Sequence, residues 1–282
     1  MRRIIAAALL VFACAACNQQ GLVQGSTEDP PEETPVSEEP TPAPTATPAD
    51  PVDPIATPLP TPVPCAFYGI GAGGDLWIID PAAVTAQLVG NSNLQNTSDL
   101  AVTADGKMIV ITLTAAYQLD PTNAQAYPYN SGAWVQGQNA LDVTPDNRML
   151  VGGGGALTFL GSGPTFDVLP FGSAAWSGDV AVMGDIAYGS ALDNWEGPDH
   201  LIRIDLVTGS VAQYGSFTAP GIFGLDVACD GSLYALTQGS PSEGILPRVF
   251  HVNPANGAVT ELGDLVGPTR LWGGAGPVVP PV

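Results

Sequence analysis

The sequence predicts an all-β fold over residues 65–282, a five-bladed β-propeller of four-stranded blades, with the last strand of the chain closing the first blade. Three observations predict it. A short apolar strand before an Asp-Gly-like turn recurs four times. Each copy is followed by three further strand-like segments. No stretch of this region has a helical period.

The first strands are Asp99-Leu100-Ala101-Val102 before Asp105-Gly106, Ala140-Leu141-Asp142-Val143 before Asp146-Asn147, Asp179-Val180-Ala181-Val182 before Gly184-Asp185, and Gly224-Leu225-Asp226-Val227 before Asp230-Gly231. Their matched valines are 41, 39 and 45 residues apart, the length of a four-stranded blade. Asp-Gly supplies the positive φ that a tight hairpin turn needs. Second strands follow at Lys107–Thr112, Arg148–Gly152, Ile186–Ser190 and Ser232–Thr237. Third strands end in Asp or Asn at Leu76–Pro81, Ala116–Pro121, Leu201–Leu206 and Val249–Pro254; in the third blade Ala156–Leu160 takes this place without the Asp-Pro ending. Fourth strands are Ala86–Val89, Gln125–Tyr129, Phe166–Leu169, Val211–Tyr214 and Ala258–Leu262. The domain opens with three strands, beginning at Phe67–Gly71, and closes with an unmatched one in Arg270–Ala275. Pairing the two ends completes a fifth blade and removes an exposed sheet edge. An open β-sandwich is the alternative.

Composition narrows the function classes. The 282 residues carry 7 Lys+Arg against 27 Asp+Glu, a net charge of -20. Lys107 is the only lysine, so no basic patch is available for nucleic acid. Residues 27–64 hold 13 Pro, 7 Thr and 8 acids and no basic or aromatic residue. Such a segment has too little apolar surface to offset the entropy of ordering, and proline extends it. Residues 18–64 therefore read as a disordered tether.

The N-terminus has Arg2-Arg3, an apolar Ile4–Ala16 run too short to span a bilayer, and then Ala15-Ala16-Cys17 before a polar stretch. This resembles a bacterial lipoprotein signal peptide, in which small residues precede a cysteine that receives lipid. The resemblance implies a signal peptide over residues 1–17, acylation of Cys17 with Cys14 as the alternative, and a membrane partner for the acyl anchor at the cell envelope, either the outer membrane or the cell surface. After processing at Cys17, Cys65 and Cys229 are the two remaining thiols in a disulfide-permissive compartment. Both fall in equivalent turns of neighbouring blades, so the register predicts a disulfide between them.

The Leu-Asp-Val-x-x-Asp-Gly and Tyr-x-Ile-Asp-Pro-like strands resemble the NHL, YVTN and quinoprotein-like repeat propellers of bacteria. That resemblance implies the fold and leaves function open, since such families include sensors, scaffolds, binders and enzymes. Motifs for chemistry are thin. His200 and His251 sit in third strands without metal-ligand spacing, and Gly152–Gly155 lacks the helix a phosphate loop needs. The acids of the Asp-Gly and Asp-Pro turns read as caps on backbone amides. Asp193, Glu196 and Asp199 form a loop cluster whose oxygens could hold Ca²⁺, although the spacing favours a solvated acidic loop. No cofactor and no metal is expected.

Aromatics mark a face. Loops joining second to third strands and blade to blade share one rim, which collects Trp134, Trp176 and Trp195, with Phe223 and Trp272 at strand starts. These either plug the gaps between blades or present a surface for glycan or protein. The favoured function is a non-catalytic binding or scaffolding module whose partner is an envelope protein or glycan. Two alternatives remain open: an envelope-polymer hydrolase or lyase with a loop-built site, and a structural subunit of an envelope complex.

Overall fold

The computed structural model describes residues 65–129, 137–153, 155–160, 165–167, 175–192 and 197–276. The expected signal peptide, Cys14, Cys17 and the proline-rich segment lie outside the described residues. Among the described residues, twenty strands form five antiparallel sheets of four. Blade I contains β1 (Phe67–Ile70), β2 (Asp75–Asp80) and β3 (Thr85–Asn91). Blade II contains β4 (Thr97–Val102), β5 (Met108–Thr112), β6 (Ala116–Leu119) and β7 (Ala126–Tyr129). Blade III contains β8 (Ala140–Val143), β9 (Met149–Gly153), β10 (Ala156–Phe159) and β11 (Thr165–Asp167). Blade IV contains β12 (Ala175–Met183), β13 (Ile186–Leu192), β14 (His200–Asp205) and β15 (Val211–Ser216). Blade V contains β16 (Ile222–Val227), β17 (Leu233–Thr237), β18 (Arg248–Val252) and β19 (Val259–Asp264).

The last strand, β20 (Gly273–Ala275), returns to blade I and pairs with β1 at Tyr68↔Ala275 and Ile70↔Gly273. This is the closure that the repeat count predicts. The strand is shorter than Arg270–Ala275: the Leu271 amide is still turned to blade V, and contact with β1 begins at Trp272. Leu271 N–H donates to Gln238 O in blade V at 2.9 Å, and Trp272 N–H donates to Ile70 O at 2.7 Å. β12 is longer than its repeat implies, running nine residues with a register shift between Trp176 and Val180.

Burial follows strand position. Every residue of β5 and β17 is buried, whereas the outermost strands β3 and β19 hold only half-buried and exposed residues. Central strands packed on both faces need continuous apolar runs such as Met108-Ile109-Val110-Ile111, and outer strands do not. The apolar side chains interdigitate between neighbouring blades: Leu150, Leu157 and Phe159 of blade III pack with Val180, Ile202 and Ile204 of blade IV.

The turns behave as their residues require. Gly106, Gly184 and Gly231 take φ of 81°, 62° and 78°, and Asn147 takes 61° at the same place in blade III. The third-strand acids cap the next turn: Asp80 Oδ1 accepts from the amides of Ala82 and Ala83, and Asp205 Oδ1 from those of Val207 and Thr208.

Cys65 and Cys229 form a disulfide, with Cα atoms 4.7 Å apart and a sequence separation of 164. It joins the chain's entry into blade I to the first turn of blade V, as the register predicts. Closing so long a loop restricts the unfolded chain by roughly 4–5 kcal/mol in the chain-entropy account. Reduction, or a Cys65→Ser, Cys229→Ser double substitution, is therefore expected to lower stability by several kcal/mol. Denaturant midpoints with and without reductant measure this, and superimposable curves would remove the disulfide's role in closure.

Candidate functional site

The rim bearing the interblade loops and the second-to-third-strand loops is the upper face. Between blades IV and V it holds a pocket of about 390 Å³. Its outer wall is the loop after β17, which folds back on itself: Ser240 N–H donates to Ile245 O at 2.7 Å and Ile245 N–H to Ser240 O at 3.0 Å, around a short 3-10 turn at Pro241–Glu243. Gly239 enters this loop with φ 74°, and a Cβ there would lie 2.8 Å from both Pro247 Cδ and Thr269 O. Only glycine fits both the dihedral and the space. Phe223, at the start of β16, forms another wall. Its ring meets Trp272 edge-on at 5.1 Å, and the Arg270 guanidinium lies 4.7 Å above the Trp272 ring.

Asp199 also lines this pocket and has no solvent exposure. Its Oδ2 accepts from Ser177 Oγ at 2.5 Å and from the Ile222 amide at 2.7 Å, which ties the β13–β14 loop to the starts of β12 and β16. Burial raises its pKa, opposed by the Ser177 and Ile222 hydrogen bonds and by the Gly221 amide. Its other oxygen, Oδ1, has no hydrogen-bond partner. Gln238 Nε2, in the same pocket, and Trp272 Nε1, behind Phe223, are also buried without a partner. Among the described residues a fourth such atom, Asn139 Oδ1, lies before β8. Each such group costs about 1–3 kcal/mol, so three at one corner mark it as the place where the fold leaves hydrogen-bonding capacity unused.

The axis of the ring is polar in a different way. Asp99, Asp142, Asp179 and Asp226 come from the innermost strands of blades II to V. In blades II and IV the acid precedes the matched Leu100 or Val180, and in blades III and V it follows Leu141 or Leu225. A strand's period of two puts both positions on one face, so the acids form two tiers along the axis. Each carboxylate accepts from its own following amide and from the next blade. Asp99 takes Leu100 N–H at 2.8 Å and Leu141 N–H at 2.6 Å. Asp142 takes Val143 N–H at 2.6 Å and Val182 N–H at 2.5 Å. Asp179 takes Val180 N–H at 2.6 Å, Leu225 N–H at 2.8 Å and Gly274 N–H at 3.1 Å. Asp226 accepts from Val227 and Gly276. Blade I contributes Gly273-Gly274 instead of an acid, and a Cβ on Gly273 would collide with the Asp99 carboxylate.

Convergent acids are what a hydrolase or lyase would require, but both oxygens of each of these carboxylates already accept backbone amides. Burial raises all four pKa values: Asp142 is pushed up to about 7 and Asp179 up to about 8, while Asp99 and Asp226 lie well above the usual carboxylate range, with nearby Asp179 and Asp142 respectively adding repulsion. Asp99 is pushed up by burial first and then by the neighbouring Asp179 carboxylate.

The predicted site residues fare unequally. Trp134 and Trp195 lie outside the described residues, as do Asp193 and Glu196. For Trp176 only the backbone, paired with Ala191, is described. Phe223 and Trp272 are brought together on the upper face. Asp199 is a buried tie between loops, and no group of three or more His, Cys, Asp or Glu side chains suited to a metal occurs among the described residues. His251 packs its ring 5.4 Å from Tyr234. Sequence reasoning passed over the axial acids, although their signal was present as one Asp inside each apolar first strand. It also missed Gln238, which no pattern distinguishes.

No protein-family model matches the chain, and no curated protein does. Solved structures with a similar fold include the extracellular domain assigned to a one-component system of B. thetaiotaomicron, at 13% identity and TM-score 0.39 over 74% of this chain, which spans 28% of that one. Kuenenia stuttgartiensis hydrazine synthase matches at 16% identity and TM-score 0.41 over 76% of this chain and 71% of that one. A chain of a nidogen/laminin complex matches at 9% identity and TM-score 0.49 over 74% of this chain and 97% of that one. Likenesses this distant carry no statement about ligand or activity.

The axial acids make stability depend on pH. Unfolded, each aspartate titrates near its ordinary 3.8; folded, Asp142 and Asp179 hold their protons to about 7 and about 8. The folded state binds these protons more tightly, so their contribution is full below about pH 4 and is lost as pH rises through about 8. The surface acids Asp105, Asp120, Asp146 and Asp205, held low by hydrogen bonds, act in the opposite sense but below pH 4. Urea midpoints are expected to be higher at about pH 5 than at about pH 9. Asp142→Asn and Asp179→Asn should each flatten that slope while lowering stability at the acid end. Equal wild-type midpoints at the two pH values would contradict this account of the axis.

Proposed function

We propose that this chain is a lipid-anchored binding module of the bacterial cell envelope. In this reading it engages its partner through the upper face at the pocket between blades IV and V and performs no catalysis. One observation carries the reading. The upper-face pocket combines apolar walls with polar atoms that have no protein partner, whereas the axial carboxylates are occupied by backbone amides. Concave, mostly apolar sites with a few convergent polar groups are where small ligands and chain ends bind. The anchoring half of the reading rests on the Ala15-Ala16-Cys17 sequence after an apolar run, and the disulfide between Cys65 and Cys229 suits an oxidising compartment.

Ser240 stands at the pocket. Val207, 74% exposed, lies in a third-to-fourth-strand loop on the opposite rim. Ser240→Trp is expected to reduce binding of solubilised envelope material to the immobilised protein by about tenfold or more, and Val207→Trp to leave it unchanged. Equal effects, or an effect of Val207→Trp alone, would move the binding surface off this face. For the anchor, Cys17→Ser should shift the protein from membrane to soluble fractions, since acyl chains supply about 0.8 kcal/mol per buried methylene. Retention of Cys17→Ser together with release of Cys14→Ser would transfer lipidation to Cys14.

A further inference from the structure

We propose that the pocket between blades IV and V takes an uncharged pyranose ring, with a ring hydroxyl donating to Asp199 Oδ1, a sugar oxygen accepting from Gln238 Nε2, and the apolar face of the ring against Phe223. The inference rests on the reading of the upper face as the binding surface and names its ligand class.

Four features of the pocket lead there. The first is its unused hydrogen-bonding capacity. Asp199 Oδ1 is an acceptor and Gln238 Nε2 a donor, both buried, both in the lining and neither with a protein partner. A ligand that satisfies both must offer a donor and an acceptor within one small molecule, and vicinal hydroxyls do so. The second is the remainder of the wall. Leu192, Phe223 and Ile245 are apolar, which suits a ligand with a C–H face as well as a hydroxyl edge. The third is size: about 390 Å³ falls at the lower end of the range for small-molecule sites, enough for one sugar ring and too little for a long segment of folded chain.

The fourth is charge. Asp199 and Glu243 share the pocket with Arg248, whose guanidinium is already directed to Glu261 at 3.6 Å and Asp264 at 3.7 Å. An anionic sugar would meet a buried carboxylate and a molecule of net charge -20 without a free cation in the pocket to receive it. An ammonium group would require a fully charged Asp199, and burial disfavours that form. A peptide recognised as an added strand needs a row of unpaired amides along a sheet edge. This pocket instead lies at the loop ends of two blades whose strands are already paired there.

The test is titration of the full-length protein, in detergent, with methyl β-glucopyranoside and methyl N-acetyl-β-glucosaminide, followed by calorimetry and by tryptophan fluorescence. The charged probe is methyl glucuronide, and the peptide probe is a capped alanine tripeptide amide. The neutral glycosides are expected to bind with dissociation constants on the order of 1 mM, and the glucuronide at least about tenfold more weakly. Gln238→Ala should weaken glycoside binding by roughly tenfold without lowering the thermal midpoint, because Nε2 holds no protein partner. Asp199→Asn should weaken binding too and also lower the midpoint, since Asp199 ties Ser177 to Ile222. Saturable binding of the tripeptide amide, abolished by Gln238→Ala, with no response to either neutral glycoside, would overturn the sugar assignment and leave the binding face standing. No response to any probe, while Ser240→Trp still blocks envelope binding, would likewise overturn the sugar and spare the face. Failure of the Ser240→Trp contrast would remove both.

Discussion

Four aspartates on the propeller axis hold the ring together from the inside, because each passes its carboxylate from one blade to the amides of the next. Asp99 joins blade II to blade III, Asp142 joins III to IV, Asp179 joins IV to V, and Asp226 joins V to the returning strand of blade I. Among the described residues adjacent blades share no backbone ladder, so their relative height rests on apolar contacts and on interblade hydrogen bonds such as Ser190 Oγ–H to Ile222 O and Ala104 N–H to Asn147 Oδ1, to which the axial acids add theirs. A short hydrogen bond between a carboxylate and an amide is directional and sets that height. Burying acids is tolerable here because every oxygen is occupied and because the raised pKa values let protons remove part of the charge.

The same constraint explains the irregular fifth member. Blade I has Gly273 and Gly274 where the others have an acid and a large apolar residue, and the Asp99 carboxylate fills the space a side chain would need. Asp179 then reaches Gly274 as well as Leu225, bridging from blade IV to blade I. The junction between blades I and II, which no axial acid spans, is joined by Thr97 Oγ1–H donating to Gly71 O at 2.6 Å. On the opposite side the disulfide secures blade I to blade V. The ring's seam is thus held by a backbone pairing, a covalent bond and hydrogen bonds.

A rigid ring leaves its loops free to differ, and the upper corner between blades IV and V shows the result. Asp199 uses one oxygen to fasten two strand starts and keeps the other unused, while the β17–β18 loop walls off the pocket with its own backbone bonds. Preorganised polar atoms on a fixed frame bind with little ordering cost. The axis and the corner therefore differ in their polar chemistry: the axial carboxylates are saturated, whereas Asp199 Oδ1 and Gln238 Nε2 line a pocket without protein partners.

The sequence by itself determined the blades. Alternation, Asp-Gly turns and the 39–45-residue step are local or periodic properties, and they also placed Cys65 and Cys229 in equivalent turns near enough to bond. It marked Phe223 and Trp272 as upper-face aromatics for the same reason. It did not distinguish Asp142 inside β8 from Asp120 at the end of β6, although the first is a half-buried clasp between blades and the second caps a surface turn. What separates them is whether the side chain points at four other blades, and that is a property of the closed ring. Gln238 and Asp199 lie 39 residues apart and become neighbours only when blades IV and V pack together. Only the tertiary structure decided which polar atoms found partners, because a hydrogen bond between distant residues exists once the chain has closed around both.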